Sequence, residues 1–252
     1  MDDRLSKVRE YIDRKGRITL HDLEEAFPDV SSMTLRRDMD KLEQLNAILR
    51  IPGGALSVNT VLRAKEKDFS ERATDNPTEK IEIADKAVNV VDAKSCVFVD
   101  GGSTTTYFAR ALPDDDYYVV TNALVIAETV MRKAKPKVML LGGDLRRNNS
   151  ITVGNTCLEI MDRINIQNAV ITSTGFIAET GSFTCGMQSE ADVKRKAIDK
   201  ADKVIMLLDS SKVDKKTPYT FATLEDIDIL VVDNAFPEDI KAKIVGMGVE
   251  VY

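Results

Sequence analysis

The sequence predicts an α/β protein in two parts: a small N-terminal unit of three helices and a hairpin, then a larger unit on a mainly parallel sheet. Three observations predict it. Short apolar, β-rich runs at residues 96–99, 117–120, 138–141, 169–172, 204–208 and 229–232 alternate with helix-like stretches at 123–133, 157–163 and 190–200. Strands that are apolar on both faces and separated by helices belong to a sheet covered on both sides. Residues 1–58 have a different texture, with helical periodicity followed by one glycine-rich turn. Between the two lies a polar, irregular stretch containing Lys65-Glu66-Lys67-Asp68 and Thr74-Asp75-Asn76-Pro77. The expected division is therefore 1–58, a linker at 59–78 that carries at most a helix, and 79–252. A length of 252 residues accommodates two ordinary domains.

In the first unit Leu5, Val8 and Ile12 recur at helical spacing, and Gly16 stands where that helix ends. Arg17-Ile18-Thr19-Leu20 is short and β-branched, and residues 21–27 read as a second helix before Pro28-Asp29 breaks the chain. Ser31 is placed to cap a third helix with Leu35, Met39 and Leu42 on its buried stripe. Residues 48–51 then turn through Pro52-Gly53-Gly54 into 55–58, a small hairpin. The outer face of the third helix is left with Ser32, Thr34, Arg36, Arg37 and Lys41. These are groups that reach base edges and phosphates in a major groove. Arg50 sits in the hairpin, within reach of a DNA backbone or minor groove, and Asp38 and Asp40 are expected to pair with neighbouring arginines. The same residues would also suit a solvated amphipathic helix whose arginines touch only water.

Composition narrows the chemistry. Hydrophobic residues make up 43% and charged residues 30%, which suits a globular chain and excludes a disordered or collagen-like one. No apolar run approaches the roughly 20 residues of a membrane span, and Met1-Asp2-Asp3-Arg4 offers no apolar signal core. Cys96, Cys157 and Cys185 form no Cys-x-x-Cys pair, so no structural zinc site is expected, and buried free thiols in a reducing cytoplasm are. His21 is the only histidine, and it falls in a short amphipathic helix, which disfavours every histidine-based hydrolase. The net charge of −6 is shared as −1 over residues 1–60 and −5 over the rest, so any DNA contact must come from a local basic face.

In the larger unit the run at 96–99 leads into Asp100-Gly101-Gly102-Ser103-Thr104-Thr105-Thr106, then a helix. Glycines permit a tight turn, and hydroxyls with amides at a helix start cradle an anion. The Gly-Lys-Ser/Thr ending of a Walker loop and the Gly-x-Gly-x-x-Gly fingerprint are both missing, so a small phosphorylated ligand fits better than a nucleotide. Further polar clusters follow later strands: Thr121-Asn122, Gly142-Gly143-Asp144 with Arg146, Ser173-Thr174-Gly175 and Asp209-Ser210-Ser211-Lys212. Ligands of open parallel sheets bind beyond the carboxyl ends of the strands, so these clusters point to one converging site. Any single one, Thr121-Asn122 above all, would equally serve as a helix cap.

Val30-Ser31-Ser32-Met33-Thr34-Leu35-Arg36-Arg37-Asp38-Met39, then Leu42-Glu43 and Arg50-Ile51-Pro52-Gly53-Gly54-Ala55, resembles the signature of the DeoR family of bacterial transcriptional regulators. Pro52 stands where members commonly have histidine before Gly-Gly-Ala. The resemblance continues through Asp100 to Thr105, Thr121-Asn122, Gly142-Gly143, Glu190 with Lys194-Arg195, and Asp209 to Lys212. It implies a winged helix-turn-helix followed by an effector-binding domain similar to ribose-5-phosphate isomerase. It further implies that Ser103, Thr104 and Thr105 hold a phosphate, that Lys194 and Lys212 lie at the polar end of the pocket, and that Asp100, Thr121, Asn122 and Glu190 face the sugar. Gly102, Gly143, Arg146 and Gly175 complete the expected effector set.

The implied function is a sequence-specific regulator in the cytoplasm, without a cofactor, that represses a carbohydrate operon. Its expected partners are double-stranded operator DNA, a phosphorylated sugar and a second or fourth copy of itself. The rival is an active sugar-phosphate isomerase with a DNA-binding appendage. Isomerases of the similar fold carry an Asp-Gly-Ala-Asp cluster where this chain reads Thr172-Ser173-Thr174-Gly175, although Glu190 is present.

Overall fold

A computed structural model describes residues 3–15, 17–45, 47–51, 53–57 and 69–252. Pro52 and Val58, named in the expected hairpin, lie outside them. The chain divides into two compact units, Met1–Lys67 and Asp68–Tyr252.

The first unit contains α1 (Asp3–Lys15), β1 (Arg17–Thr19), α2 (Leu20–Ala26), α3 (Ser32–Gln44), β2 (Ile48–Ile51) and β3 (Gly54–Ser57). All three helices and the hairpin follow the apolar spacing of the sequence. Leu5, Val8 and Ile12 from α1 pack with Leu23 from α2 and Leu35, Met39 and Leu42 from α3 in one core. Thr19 caps α2 in a reciprocal capping box with Asp22. The hairpin gains a third strand, because β1 pairs antiparallel with β3 in the order β1-β3-β2. That pairing explains Gly54: a Cβ there would stand 2.0 Å from the carbonyl oxygen of Ile18.

The second unit begins with α4 (Phe69–Thr74) and α5 (Pro77–Ala87). Residues 69–78, expected in the linker, are therefore mostly helical and belong to this unit by their bonds: the Phe69 amide donates to the Asn148 carbonyl at 2.9 Å. Its centre is a seven-stranded sheet in the order β15-β14-β12-β9-β4-β5-β6. The strands are β4 (Cys96–Val99), β5 (Tyr118–Thr121), β6 (Lys137–Leu140), β9 (Ile166–Thr172), β12 (Ala201–Leu208), β14 (Ile229–Val232) and β15 (Glu250–Val251). Every pairing among them is parallel. The helices α6 (Ser103–Ala111), α7 (Leu124–Met131), α8 (Asn155–Met161), α9 (Gln188–Lys200) and α10 (Glu238–Gly246) accompany them. Val97, Phe98, Val99, Val170, Ile171, Met206 and Leu207 are fully buried, as expected of strands covered on both faces.

Two features were not foreseen. A hairpin, β7 (Asp144–Arg146) with β8 (Ile151–Val153), projects after β6. A small antiparallel sheet joins β10 (Gly175–Ile177), β11 (Ser182–Cys185) and β13 (Tyr219–Thr223). The order of the large sheet determines where a ligand can enter. From β4 the chain moves through β5 to β6 on one side, then returns to β9 on the other side of β4. The connections after β4 and β9 thus leave in opposite directions, and a crevice opens beyond their carboxyl ends.

Candidate functional site

The third helix shows how the face expected to read DNA is made. Ser31 caps α3, its hydroxyl accepting from the Thr34 amide at 3.3 Å and lying 2.9 Å from the Thr34 hydroxyl. Leu35, Asp38, Met39 and Leu42 turn inward. Ser32, Met33, Arg36, Arg37, Asp40 and Lys41 remain exposed on the outer side. Thr34 is half-buried and its hydroxyl is engaged at the cap, so of the expected DNA-contacting residues it is the least presented.

The two acids act differently from each other. Asp40 holds Arg50 of β2, with Nη1 donating at 2.9 Å, so the hairpin arginine is aimed alongside α3. Asp38 is not paired with an arginine of its own helix. It is buried, and Arg4 of α1 reaches it with two bonds, Nε to Oδ2 at 2.8 Å and Nη2 to Oδ1 at 3.2 Å. This leaves Arg36 and Arg37 on the outer face. Met33, 65% exposed beside them, was not singled out from sequence; an exposed methionine off the buried stripe was the available signal. An apolar side chain there suits contact with a thymine methyl.

His21 is exposed, with Glu25 3.5 Å away on the same helix. Among the described residues no group of three or more His, Cys, Asp or Glu is arranged to hold a metal, and no helix is long and apolar enough to cross a membrane. All three cysteines are free, Cys96 half-buried and the others buried. Burial pushes the Cys157 thiol up to about 11 and that of Cys185 to about 12, so both are inert thiols at neutral pH.

In the second unit a recess opens at the crevice beyond β4 and β9. Gly101, Ser103 and Thr104 line it from the turn after β4, and Thr172, Ser173 and Thr174 from the end of β9. Glu190 and Lys194 enter from α9, Lys212 from the turn after β12, and Arg72 from α4. The recess is narrow, a cavity of about 20 Å³. Its floor is the start of α6. Gly102 is the N-cap, and Thr105 and Thr106 donate their hydroxyls back to its carbonyl at 3.0 and 2.7 Å. The first-turn amides of such a helix have no acceptor within the helix and favour an anion.

Behind this floor stands a buried ionic triad. Lys194 contacts Asp100 directly, lies 3.3 Å from Glu190 one turn earlier, and donates to the Thr172 carbonyl at 3.0 Å. Asp100 also accepts from the Thr172 amide at 3.1 Å, which ties the ends of β4 and β9 together. Burial opposes the Lys194 charge, yet Asp100 and Glu190 outweigh it and hold its pKa above the ordinary lysine value. Lys212 is half-buried, and burial lowers its pKa against the partial help of Asp209, 3.8 Å away. Lys194 is thus compensated by two carboxylates, and Lys212 with the helix start are the features of the recess suited to an anion.

The expected effector residues are brought together only in part. Ser103, Thr104, Glu190, Lys194 and Lys212 line the recess. Asp100 and Gly102 support it from behind, and the Thr105 hydroxyl is turned into its own helix. Thr121 is fully buried, donating to the Val99 carbonyl at 2.6 Å and accepting from the Ala123 amide at 3.1 Å. Asn122 donates to the Thr152 carbonyl at 2.9 Å. Both hold loops together, a role different from the helix cap that the sequence offered as the alternative. Gly143 stands just before β7, at the open end of the hairpin, with φ of +138° and the Val153 carbonyl oxygen 2.5 Å from where a Cβ would be. Arg146 is exposed on β7. Gly175 lets the Lys215 carbonyl approach to 2.2 Å from a Cβ position. None of these five residues lines the recess.

Arg72, Gly101, Thr172, Ser173 and Thr174 line the recess beyond the expected effector set. Thr172 was legible as the end of an apolar run. Arg72 was not, because it stood in a charged stretch that read as linker.

The comparisons agree with this architecture. Residues 75–234 match the DeoR C terminal sensor domain, and residues 4–61 match the DeoR-like helix-turn-helix domain. The chain is 33% identical over 222 residues to the HTH-type transcriptional regulator GlpR of Haloferax volcanii, covering 88% of this chain and 86% of that one. It is 31% identical over 232 residues to the HTH-type transcriptional repressor GlcR of Bacillus subtilis, covering 92% and 88%. It is 28% identical to the lactose phosphotransferase system repressor of Streptococcus mutans, covering 92% of each. Among solved structures, ribose 5-phosphate isomerase A of Methanocaldococcus jannaschii overlays 56% of each chain with a TM-score of 0.42 and 18% identity. With both of its units matched in order, and relatives that are regulators rather than enzymes, the chain belongs to the DeoR family of DNA-binding transcriptional regulators.

Proposed function

We propose that this regulator represses a carbohydrate operon in the cytoplasm and leaves its operator when a phosphorylated sugar occupies the recess. The observation that carries the reading is the convergence of the α6 start, Ser103, Thr104 and Lys212 on one crevice at the topological switch of the sheet. Hydroxyls, helix amides and a cation at one point suit a phosphoryl group. Glu190, whose carboxylate is held beside Lys194, offers an acceptor for sugar hydroxyls. Three free cysteines suit a reducing compartment.

The active form is a homodimer or a pair of dimers. Two copies present two α3 helices to successive major grooves, about 34 Å apart on the duplex. The names of GlcR and of the lactose system repressor describe those relatives as repressors, in line with the sign proposed here.

The test is a thermal-shift panel of ribose 5-phosphate, glucose 6-phosphate, fructose 1-phosphate and glycerol 3-phosphate. A ligand at 100 times its dissociation constant adds about 2.7 kcal/mol of stability, enough to move the transition by several degrees. The expected result is a shift with at least one of these compounds and none with the unphosphorylated sugars. Equal shifts from sugar and sugar phosphate would reject the anion-centred reading.

A further inference from the structure

Among the described residues of the first unit, Met33 and Leu45 are the large apolar side chains left exposed. Leu45 is the C-cap of α3, past its last turn. Met33 is in the first turn and 65% exposed. A helix turns by about 100° per residue, so Met33 points almost directly away from the buried stripe of Leu35, Met39 and Leu42. It therefore stands in the middle of the outer face. Arg36 and Arg37 are its neighbours one turn on, and both are exposed. The acids further along are turned to the hairpin: Asp40 accepts from Nη1 of Arg50 at 2.9 Å, and Glu43 from the Arg50 amide at 3.2 Å.

Single exposed apolar residues are common and need no function. Position sets this one apart. In a helix-turn-helix protein the residues that begin the second helix of the motif contact base edges in the major groove. The first turn of α3 has little else to bring there. The Thr34 hydroxyl lies 2.9 Å from that of Ser31 at the cap, and Leu35 is buried. Ser32 and Met33 are the first-turn side chains that face outward. The base edges of a major groove are polar donors and acceptors with one apolar exception, the C5 methyl group of thymine. A methionine side chain is unbranched and polarisable, so it can lie along that floor and cover a methyl group.

We propose that Met33 is a specificity-determining residue of this regulator: its thioether end packs on the C5 methyl group of a thymine and excludes water from it. Arg36 and Arg37 supply attraction for the duplex, and Met33 makes affinity depend on the base beneath the first turn. The inference requires that the chain bind DNA and is independent of what occupies the recess.

The experiment uses the full chain and a duplex that the wild-type protein itself selects from a random pool. Each thymine of that duplex is replaced in turn by deoxyuridine, which removes the C5 methyl group and leaves the pairing edge as it was. Affinity is measured by fluorescence anisotropy at several salt concentrations. For the wild type, replacement of one thymine in a recognition site is expected to weaken binding about 4-fold, the value of one buried methyl group. Met33→Ala loses no buried contact and gains helix propensity, so it is expected to fold as the wild type does. It should bind the thymine duplex about 4-fold or more less tightly, and the same deoxyuridine replacement should then change its affinity by less than about 1.5-fold. Its dependence on salt should match that of the wild type, because no phosphate contact is lost.

A methyl group that acts through the shape of the duplex gives the same penalty in both proteins, and equal penalties overturn the proposal. So does a wild-type protein that tolerates deoxyuridine at every position, or a selected pool in which no thymine recurs. A shallower salt dependence in Met33→Ala would assign the loss to the phosphate contacts instead and overturn it as well.

Discussion

Lys194 is a charge that the protein cannot easily do without. It is 1% exposed, in direct contact with Asp100 and 3.3 Å from Glu190. Removing a buried ion's partner leaves an uncompensated charge, which costs about 3–5 kcal/mol. Lys194→Met is therefore expected to destabilise the sensor unit by about that amount at pH 7. The pH dependence of the loss follows from what remains. Without the ammonium, Asp100 and Glu190 are two buried carboxylates that have lost their shared cation, and burial and like charge both disfavour the ionised forms. The folded variant then binds more protons than the unfolded chain, so its stability rises as pH falls toward 5. Wild-type Lys194 behaves oppositely: its raised pKa contributes stability that is complete below the ordinary lysine value and is lost only as pH climbs above it. Urea titrations at pH 7 and pH 5 test this. A variant whose deficit is the same at both pH values would show that the carboxylates do not depend on Lys194 for their charge.

At the scale of elements, the same reasoning applies to how α3 is aimed. Its apolar stripe seats it in the core, but Asp38 fixes its rotation by binding Arg4 of α1 through two bonds. Asp38→Ala removes the acceptor and leaves the Arg4 guanidinium without these partners, a change expected to cost about 1–3 kcal/mol. Amide exchange in α1 and α3 should accelerate about 10-fold or more, one decade for each 1.4 kcal/mol, while exchange in α9 stays as it was. Unchanged protection in α1 would mean that the apolar contacts alone set the helix. The pairing also marks what sequence could and could not supply. The stripe Leu35, Met39, Leu42 was legible because helical periodicity is a local property, and so were six parallel strands, because burial on both faces leaves continuous apolar runs. The partner of Asp38 was not, since Arg4 lies 34 residues away and no local pattern links the two. β10, β11 and β13 escaped notice because they are short and partly polar, and the β11–β13 pairing joins distant segments. In the site, the floor was legible from Asp100 to Thr104. Thr121 and Asn122 read equally as ligand and as helix cap, and their bonds to the Val99 and Thr152 carbonyls make them loop fastenings instead.

For the whole molecule, the proposed function gives the reading of DNA to one unit and the sensing of an anion to the other. The two units have separate apolar cores: Leu35 and Leu42 belong to one, Phe98 and Val170 to the other. Arg37 is exposed on α3, so its substitution by alanine removes no buried partner and leaves that core intact. Arg37→Ala is expected to lose duplex affinity, about 1–3 kcal/mol if the residue contacts a base, and to bind the effector as before. Thr104→Ala combined with Lys212→Ala strips a hydroxyl and a cation from the recess, and should do the reverse: a protein that holds its operator and ignores the sugar phosphate. Linkage makes the two losses informative together. If effector and operator act on one equilibrium between two arrangements, saturating operator must weaken effector binding by the same factor by which effector weakens operator binding. In the wild type the two factors should agree when measured by calorimetry and by anisotropy. Should Arg37→Ala and the double variant each lose both activities while remaining folded, reading and sensing would have to share residues, and the assignment of one task to each unit would be wrong.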